Sequence, residues 1–240
     1  MDVTIAAPAP LYDAVLFDLD GTLVDPAGGI TGGIEHALRA MDLPVPDASV
    51  LEGMIGPKLA DALANRAGVP LPLVPETIAA YRSWYRSTGM AMSKVYPGIA
   101  ELLAELRASG IRLGVATQKP EPLAKTLLAH HGLDAAFDVI RGANEDETLM
   151  PGDAGYRQGK QEIIAAALAE LAADNAVMVG DRHQDVNGAT ANGLSCIGVS
   201  WGFAVEGELA EAGAAAVVDS TTELARHLAP AAREAANGTV

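Results

Sequence analysis

Six short apolar runs recur along the chain, and most of them are followed by a stretch with helical periodicity. They are AVLFD (14–18), IRLGVAT (111–117), FDVI (137–140), AVMVGD (176–181), SCIGVS (195–200) and AAVVD (215–219). Runs that are apolar almost throughout are typical of strands buried on both faces. Strands that alternate with helices pair in parallel through right-handed crossovers, with helices covering both faces of the sheet. The sequence therefore predicts an α/β fold with a parallel sheet.

The strand pattern disappears between about residues 23 and 92, where helical patterns replace it. One apolar face at helical spacing is formed by Ile34, Ala37, Leu38 and Met41. The segment PETIAAYRSWYRSTG is predicted to begin a helix with Pro75 in its first turn and to stop at Gly89. We predict a core domain formed by residues 1–22 and 93–240, and a small helical cap domain formed by residues 23–92.

The glycine-rich stretch GGITGG at 28–33 lies inside this helical block. It does not follow a strand, and it lacks the Gly-x-Gly-x-x-Gly order of a dinucleotide-binding turn. We interpret it as a flexible lead into the cap domain.

The formal net charge of -15 argues against a partner that presents many phosphates, so neither a nucleic acid nor an anionic membrane surface is expected. No run of about 18 apolar residues occurs, and we expect a cytoplasmic protein. The single cysteine, Cys196, cannot form an internal disulfide, and its apolar setting GLSCIGV favours a buried structural thiol. A monomer and a homodimer both remain open.

Polar side chains follow three of the predicted strands, and a lysine precedes a helix that follows another. They are Asp18 and Asp20 after the first run, Thr117 after the second, Asp181 and Asp185 after AVMVG, and Lys160 before QEIIAAALAEL. In parallel α/β sheets ligands bind beyond the carboxyl ends of the strands, so we expect these side chains to converge there.

Crowded carboxylates resist ionising together unless a cation neutralises them, and hard oxygen ligands favour Mg²⁺. Magnesium usually keeps some waters and binds substrate phosphate oxygens as well. The sequence therefore predicts Mg²⁺ as the cofactor and a small-molecule phosphate ester as the substrate. Lys160 and Thr117 fit as donors to the phosphoryl oxygens.

Four segments in chain order carry a resemblance to a known family: DLDGT (18–22), VAT (115–117), Lys160 and GDRHQD (180–185). They resemble the four motifs of the haloacid dehalogenase superfamily of phosphatases. Their spacing is similar to the phosphoglycolate phosphatase-like branch, in which a helical cap lies between the first and second motifs. IGPKL (55–59), ATQKP and GVSWGF resemble the same branch. The resemblance covers about residues 13 to 220 and implies a Rossmann-like core.

The resemblance also implies a Mg²⁺-dependent phosphatase that works through an aspartyl-phosphate. It makes Asp18 the nucleophile and Asp20 the general acid and base, with Thr117 and Lys160 as catalytic residues that bind the phosphoryl group. Because Asp20 must be protonated while the leaving group departs, we expect its carboxylate neighbour to raise its pKa. The implied metal ligands are Asp18, the backbone carbonyl of Asp20 and Asp181, with Asp185 behind them.

Other polar residues near these motifs have weaker assignments. Gln118 is a candidate substrate contact, and Lys58 either binds the non-phosphate end of the substrate or is an exposed lysine at a helix start. We interpret Lys119 and Arg157 as solvated surface charges and expect His183 to face away from the metal. The acidic run at 145–147 is expected to be a solvated loop.

Several functions share such a site. Phosphoglycolate is the leading substrate by resemblance, and a nucleoside 5'-monophosphate is its nearest rival. A sugar-phosphate mutase would use the same core, and a phosphonatase would need a cap lysine such as Lys58 for a Schiff base. A phospho-Asp receiver module is the alternative from another class, but the helical block and Asp20 both count against it.

Overall fold

A computed structural model describes residues 11–145, 156–157 and 159–228. Its strands are β1 (Ala14–Phe17), β2 (Val24–Asp25), β3 (Lys94–Val95), β4 (Arg112–Pro120), β5 (Val139–Ala143), β6 (Ala176–Gly180), β7 (Ser195–Val199) and β8 (Ala216–Val218). Six of them form one sheet in the order β5-β4-β1-β6-β7-β8, and every pairing in it is parallel. The predicted α/β class with a parallel sheet is confirmed.

Helices surround the sheet and fill most of the connections between strands. They are α1 (Gly29–Ala40), α2 (Ala48–Glu52), α3 (Leu59–Asn65), α4 (Val74–Trp84), α5 (Met90–Met92), α6 (Ile99–Ala108), α7 (Glu121–His130), α8 (Lys160–Leu171), α9 (His183–Ala191), α10 (Glu208–Glu211) and α11 (Thr221–Leu228). Short 3-10 turns cover Leu71–Leu73 and Asp134–Ala136, and a π-helical turn covers Tyr85–Gly89.

The central strand β1 is buried on both faces, which accounts for its continuous apolar sequence. Val15 and Phe17 belong to one apolar cluster, and Ala14 and Leu16 belong to the cluster on the other face. This alternation follows from the period of two along a strand. The two clusters hold the sheet between its helical layers, and they fix the position of the residues that follow β1.

Helices α1 to α5 lie between β2 and β3, which pair as a short antiparallel ribbon. We call residues 26–93 the helical insertion. Its apolar residues join the same cluster that covers one face of the sheet; Ile34 and Tyr85 are fully buried there. Pro75 lies in the first turn of α4, as predicted. The division into a core domain and a cap domain stays a prediction.

Two glycine assignments were wrong. The chain does not leave its helix at Gly89 but continues through the π-helical turn into α5. GGITGG is not a flexible lead, because most of it is the first part of α1. A Cβ added at Gly89 would lie 2.7 Å from the carbonyl oxygen of Gly29, and one at Gly33 would lie 2.9 Å from the Tyr81 ring. These glycines therefore allow close helix packing.

Candidate active site

The three adjacent strands β4, β1 and β6 end at the same edge of the sheet. Asp18 follows β1, Asp181 follows β6, and Thr117 lies near the carboxyl end of β4. All three side chains are buried. The parallel order of the sheet thus brings together residues that are far apart in the sequence, as the strand-end pattern predicted.

The turn after β1 depends on Gly21, which has a φ of +91°. A Cβ there would also lie 2.6 Å from the Cγ of Asp181, so the turn and the carboxylate can be this close only without a side chain. Thr22 donates a hydrogen bond from Oγ1 to Asp181 Oδ1 at 3.2 Å. The DLDGT segment therefore orients Asp181 as well as carrying Asp18 and Asp20.

Backbone donors hold the two aspartates that follow β6, Asp181 in the loop before α9 and Asp185 in the first turn of α9. The N–H of Phe203 donates to Asp181 Oδ2 at 2.8 Å, and the N–H of Arg182 donates to Asp185 Oδ2 at 3.0 Å. Gly202 lies against Asp181, where a Cβ would approach the Asp181 Cγ to 2.6 Å. Both carboxylates are therefore fixed before any ligand arrives.

Lys160, the first residue of α8, reaches under the strand ends and is 6% exposed. Its Nζ lies 2.7 Å from Asp18 Oδ1 and 2.6 Å from Asp185 Oδ1, and it donates to the carbonyl oxygen of Ala116 at 2.9 Å. Burial alone would lower the pKa of Lys160, but Asp18 and Asp185 outweigh it and raise the pKa. Lys160 is therefore a fixed cation beside Asp18.

The carboxylates of Asp18, Asp181 and Asp185 offer oxygens that lie within 4.8 Å of one another. Burial, followed by the charges of Asp18 and Asp185, raises the pKa of Asp181 well above its usual value. A divalent cation would offset this repulsion, and an all-oxygen set fits Mg²⁺. The chemistry of these three residues thus fits the predicted cofactor.

Asp20 has a partner that the sequence interpretation missed. Its Oδ2 lies 2.6 Å from the Nζ of Lys119, while its Oδ1 is buried without a hydrogen-bond partner among the described residues. Burial is the main cause that raises the pKa of Asp20; Lys119 opposes it, and Asp18 adds a smaller increase. The direction of the shift agrees with the prediction, but its main cause is burial and not the neighbouring carboxylate.

The interpretation of Lys119 as a surface charge was wrong. Its side chain is 6% exposed, because β4 continues to Pro120 and the Tyr85 ring of the helical insertion covers the ammonium group at 4.7 Å. The position of Lys119 two residues after Thr117 was the available signal. Arg157 is not a free surface charge either: it is half-buried and pairs with Glu121 at 3.2 Å.

A cavity of about 70 Å³ lies between the strand ends and the helical insertion. From the sheet, Asp18, Asp20, Thr117 and Gln118 line it, and from the insertion Lys58 does. Lys160, Asp181 and Asp185 do not line the cavity but lie behind it against Asp18. Ligands therefore reach the predicted nucleophile from the side of the insertion.

The remaining predictions concern residues around the loops. His183 faces Glu208, with Nδ1 2.8 Å from Glu208 Oε1. Glu145 is exposed, whereas residues 146 and 147 of the acidic run lie outside the described residues. No helix in the described parts of the chain combines the length and the apolar character needed to cross a lipid bilayer.

Comparison with known proteins identifies the family. The model for haloacid dehalogenase-like hydrolases matches residues 15–199. The chain belongs to this family. The resemblance to this family is thereby confirmed, and the expectation of a phosphoric monoester hydrolase agrees with a family of hydrolases.

Several named proteins are similar to this member of the family. The "Tyrosine-protein kinase PtkA" of Mycobacterium tuberculosis is 41% identical over 82% of this chain, which spans only 65% of that protein's length. A "5'-nucleotidase" of Pseudomonas aeruginosa is 40% identical over 82% of this chain and 87% of its own. A "Phosphoglycolate phosphatase" of Rhodospirillum rubrum is 36% identical over 88% of each chain.

Among solved structures, a predicted phosphatase from Clostridium acetobutylicum superposes with a TM-score of 0.82 at 39% identity. The match covers 90% of this chain and 98% of that one. The similarity includes the helical insertion as well as the sheet, because so large a share of the chain is covered.

Proposed function

We propose that this protein is a Mg²⁺-dependent phosphatase that hydrolyses a small phosphate monoester through an aspartyl-phosphate on Asp18. The observation that carries the proposal is the position of Asp18. Its carboxylate lines the cavity, Lys160 holds it at 2.7 Å, and Asp181 and Asp185 lie close behind it.

In the first step an oxygen of Asp18 attacks the phosphorus atom, and the bond between phosphorus and the ester oxygen breaks. The leaving oxygen takes the electron pair and a proton from Asp20. Asp20 suits this transfer because burial raises its pKa, and because Oδ1 has no partner among the described residues while Lys119 holds Oδ2. Asp18 then carries the phosphoryl group.

In the second step water attacks the phosphorus atom, and Asp20 accepts its proton. The bond between phosphorus and Asp18 breaks, which restores the carboxylate and releases phosphate. Thr117 lines the cavity and binds a phosphoryl oxygen, while Lys160, behind the cavity, holds the Asp18 carboxylate at 2.7 Å. The contact of Lys119 with Asp20 favours the ionised form that acts as base. Mg²⁺, held by Asp18, Asp181, Asp185 and the backbone carbonyl of Asp20, would neutralise charge on the phosphoryl group.

The cavity favours a small substrate with an anionic leaving group. Its volume of about 70 Å³ is far below the roughly 300 Å³ at which sites for drug-sized ligands begin. Beyond Asp18 and Asp20 its charged lining residues are Lys58, Arg82 and Lys119, all cations. A carboxylate on the leaving group would be attracted to them, and phosphoglycolate is the simplest ester of this kind.

A nucleoside 5'-monophosphate is the second candidate. The similarity to a 5'-nucleotidase over most of that protein supports it. The apolar residues Ile30, Met54 and Leu59 line part of the cavity and would contact a base. A nucleoside needs more room, so this candidate requires the insertion to move away from the strand ends.

The decisive experiment measures release of inorganic phosphate from a panel of esters, with and without Mg²⁺. The panel contains phosphoglycolate, the nucleoside 5'-monophosphates and an aryl phosphate. We expect Mg²⁺-dependent release in stoichiometry with ester loss, fastest for phosphoglycolate. Phosphate that stays on the substrate would indicate a mutase, and transfer from ATP to a tyrosine would indicate kinase activity like that named for the mycobacterial relative.

The matched control for this assay is a pair of aspartate variants. Asp18→Asn removes the proposed nucleophile, and Asp42→Asn changes an exposed aspartate of the insertion in the same way. Turnover that survives in Asp18→Asn, or that is absent from the wild type with every ester, would overturn the proposal.

A further inference from the structure

Arg182 follows Asp181 directly, yet its side chain turns away from the cavity. It is 5% exposed and lines no part of the space in front of Asp18. Its Nε donates to Glu208 Oε1 at 2.9 Å, and its Nη1 donates to the carbonyl oxygen of Ile55 at 2.7 Å. One guanidinium group thus bonds to the sheet side of the molecule and to the helical insertion.

The Ile55 carbonyl belongs to residues 53–58, the segment between α2 and α3, which we call the cap loop. Met54, Gly56, Pro57 and Lys58 of this loop line the cavity opposite Asp18. The contact with Arg182 therefore lies on the outer side of the cavity wall that faces the proposed nucleophile.

The backbone of the cap loop is shaped to lie against Arg182. Gly56 has a φ of +98°, and a Cβ built on it would lie 3.2 Å from the Arg182 Cγ. A side chain at this position would be strained and would press on the arginine. The left-handed glycine lets the loop pass directly over the arginine stem.

The other end of the guanidinium group is held firmly. Glu208 Oε1 also accepts hydrogen bonds from the backbone N–H of His183 at 2.9 Å and from the same residue's ring at 2.8 Å. The N–H of Arg182 itself is bound by Asp185. Because a guanidinium group is planar and its donors are fixed relative to one another, holding Nε also aims Nη1 at the cap loop.

We propose that Arg182 is a positioning residue. Its hydrogen bonds to Glu208 and to the Ile55 carbonyl hold the cap loop against the segment that carries Asp181 and Asp185, and this connection, which we call the latch, keeps the insertion wall of the cavity over Asp18. The inference rests on the proposed function only for its effect on catalysis. A lysine cannot replace the arginine fully, since a single ammonium group cannot reproduce the two directed bonds.

The test compares Arg182→Met and Arg182→Lys with Arg141→Met. Arg141 also pairs with carboxylates, Glu121 and Glu170, and among the described residues no hydrogen bond or ion pair joins its side chain to the insertion, so it controls for the loss of a paired arginine. Hydrogen–deuterium exchange is followed in peptides that cover residues 53–59. We expect roughly 10-fold faster exchange there in Arg182→Met, an intermediate increase in Arg182→Lys, and none in Arg141→Met.

Kinetics and metal titration separate the latch from a merely structural role. We expect KM for the best ester to rise about 10-fold in Arg182→Met, with a smaller change in kcat. The inhibition constant of inorganic phosphate and the Mg²⁺ affinity measured by calorimetry should each change less than about 2-fold. Unchanged exchange in the cap loop would overturn the inference, and so would weakened Mg²⁺ binding without faster exchange. If no ester is hydrolysed by the wild type, the proposed function fails, and the exchange data still decide the latch. If Arg182→Met does not fold, Arg182→Lys decides it.

Discussion

The two walls of the cavity are built in different ways. On the sheet side, the charged residues are buried and bonded to one another: Lys160 binds Asp18, Asp185 and a backbone carbonyl, and Lys119 binds Asp20. On the insertion side the wall is largely apolar, with Met54, Pro57 and Leu59, and the ammonium group of Lys58 makes no hydrogen bond or ion pair with the described residues.

This difference suggests a division of labour: the sheet wall carries out the phosphoryl transfer, and the insertion wall selects the substrate. A preorganised set of charges stabilises the transferring phosphoryl group whatever the leaving group is, because that group is common to all esters. A wall that combines apolar side chains with the cations Lys58 and Arg82 discriminates by size and charge at the far end of the substrate. Changes on the sheet wall should therefore reduce kcat for every ester, and changes on the insertion wall should alter KM selectively.

The largest effect is expected from Asp18→Asn. The amide is isosteric with the carboxylate but is a far weaker nucleophile, so kcat should fall by at least about 10⁴-fold for every ester. Phosphate release measures the loss, and circular dichroism checks that the fold is preserved. Activity near that of the wild type would exclude Asp18 as the nucleophile and remove the basis of the comparison.

Lys160→Met should reduce kcat/KM about 10³-fold for all esters. It removes the cation beside Asp18 and leaves the buried carboxylates of Asp18 and Asp185 facing each other. Saturating Mg²⁺ should restore part of the lost thermal stability, because the ion opposes the same repulsion. A loss confined to one ester would show that Lys160 acts in selection and not in the common chemistry.

Lys119→Met should have a smaller effect on kcat, on the order of 10- to 100-fold. Lys119 holds one oxygen of Asp20 and is covered by the Tyr85 ring, so its removal releases the acid–base group without removing it. The fall should be similar for all esters. Tyr85→Phe is the matched control, because it keeps the ring over Lys119, and it should retain most of the activity. An unchanged kcat in Lys119→Met would mean that Asp20 is positioned by its backbone alone.

Lys58→Met tests the insertion wall. KM for phosphoglycolate should rise about 10-fold, since the carboxylate on its leaving group loses an attractive cation, while KM for an aryl phosphate, whose leaving group carries no carboxylate, should change less than about 2-fold. Lys94→Met, at an exposed lysine on β3, is the control. Equal changes for both esters would contradict the assignment of selection to this wall.

The sequence predicted the sheet wall better than the insertion wall for physical reasons. The sheet topology places strand-end residues such as Asp18, Thr117 and Asp181. That topology can be predicted from the apolar runs and from their alternation with helical patterns. Lys119 was misjudged because its burial depends on Tyr85, a residue of another segment, and long-range packing leaves no local pattern. The glycines of α1 were misjudged for the same reason: Gly33 is small because Tyr81 packs on it.

The contact of Arg182 with the cap loop was also beyond the reach of sequence reasoning. The donor is a side chain next to a predicted metal ligand, but its acceptor is a backbone carbonyl, which any residue at position 55 provides. The one feature of this contact that the sequence shows is Gly56, a residue type that readily adopts the positive φ found there.

The smallest expected effect is on thermal stability, and it belongs to the sheet wall alone. Burial raises the pKa of Asp185 to about 6 and raises those of Asp20 and Asp181. The folded state therefore binds more protons than the unfolded state between about pH 4 and 6, and the metal-free protein loses stability as the pH rises through this range. Tm in EDTA should be several degrees lower at pH 7.5 than at pH 5.

Other shifted groups do not reverse this sign. The pKa of Glu208 is lowered to about 2 and that of Glu121 is also lowered, so these two groups change the stability only below about pH 4.5. Burial lowers the pKa of His131, which makes the stability rise with pH near neutrality, but this opposing effect comes from one partly exposed ring. Saturating Mg²⁺ should flatten the pH dependence, because the ion keeps the carboxylates charged. Asp185→Asn should flatten it without metal, whereas Lys58→Met should leave it unchanged. A metal-free Tm that climbs steadily from pH 5 to pH 7.5 would show that the strand-end carboxylates do not repel one another as the two-wall comparison requires.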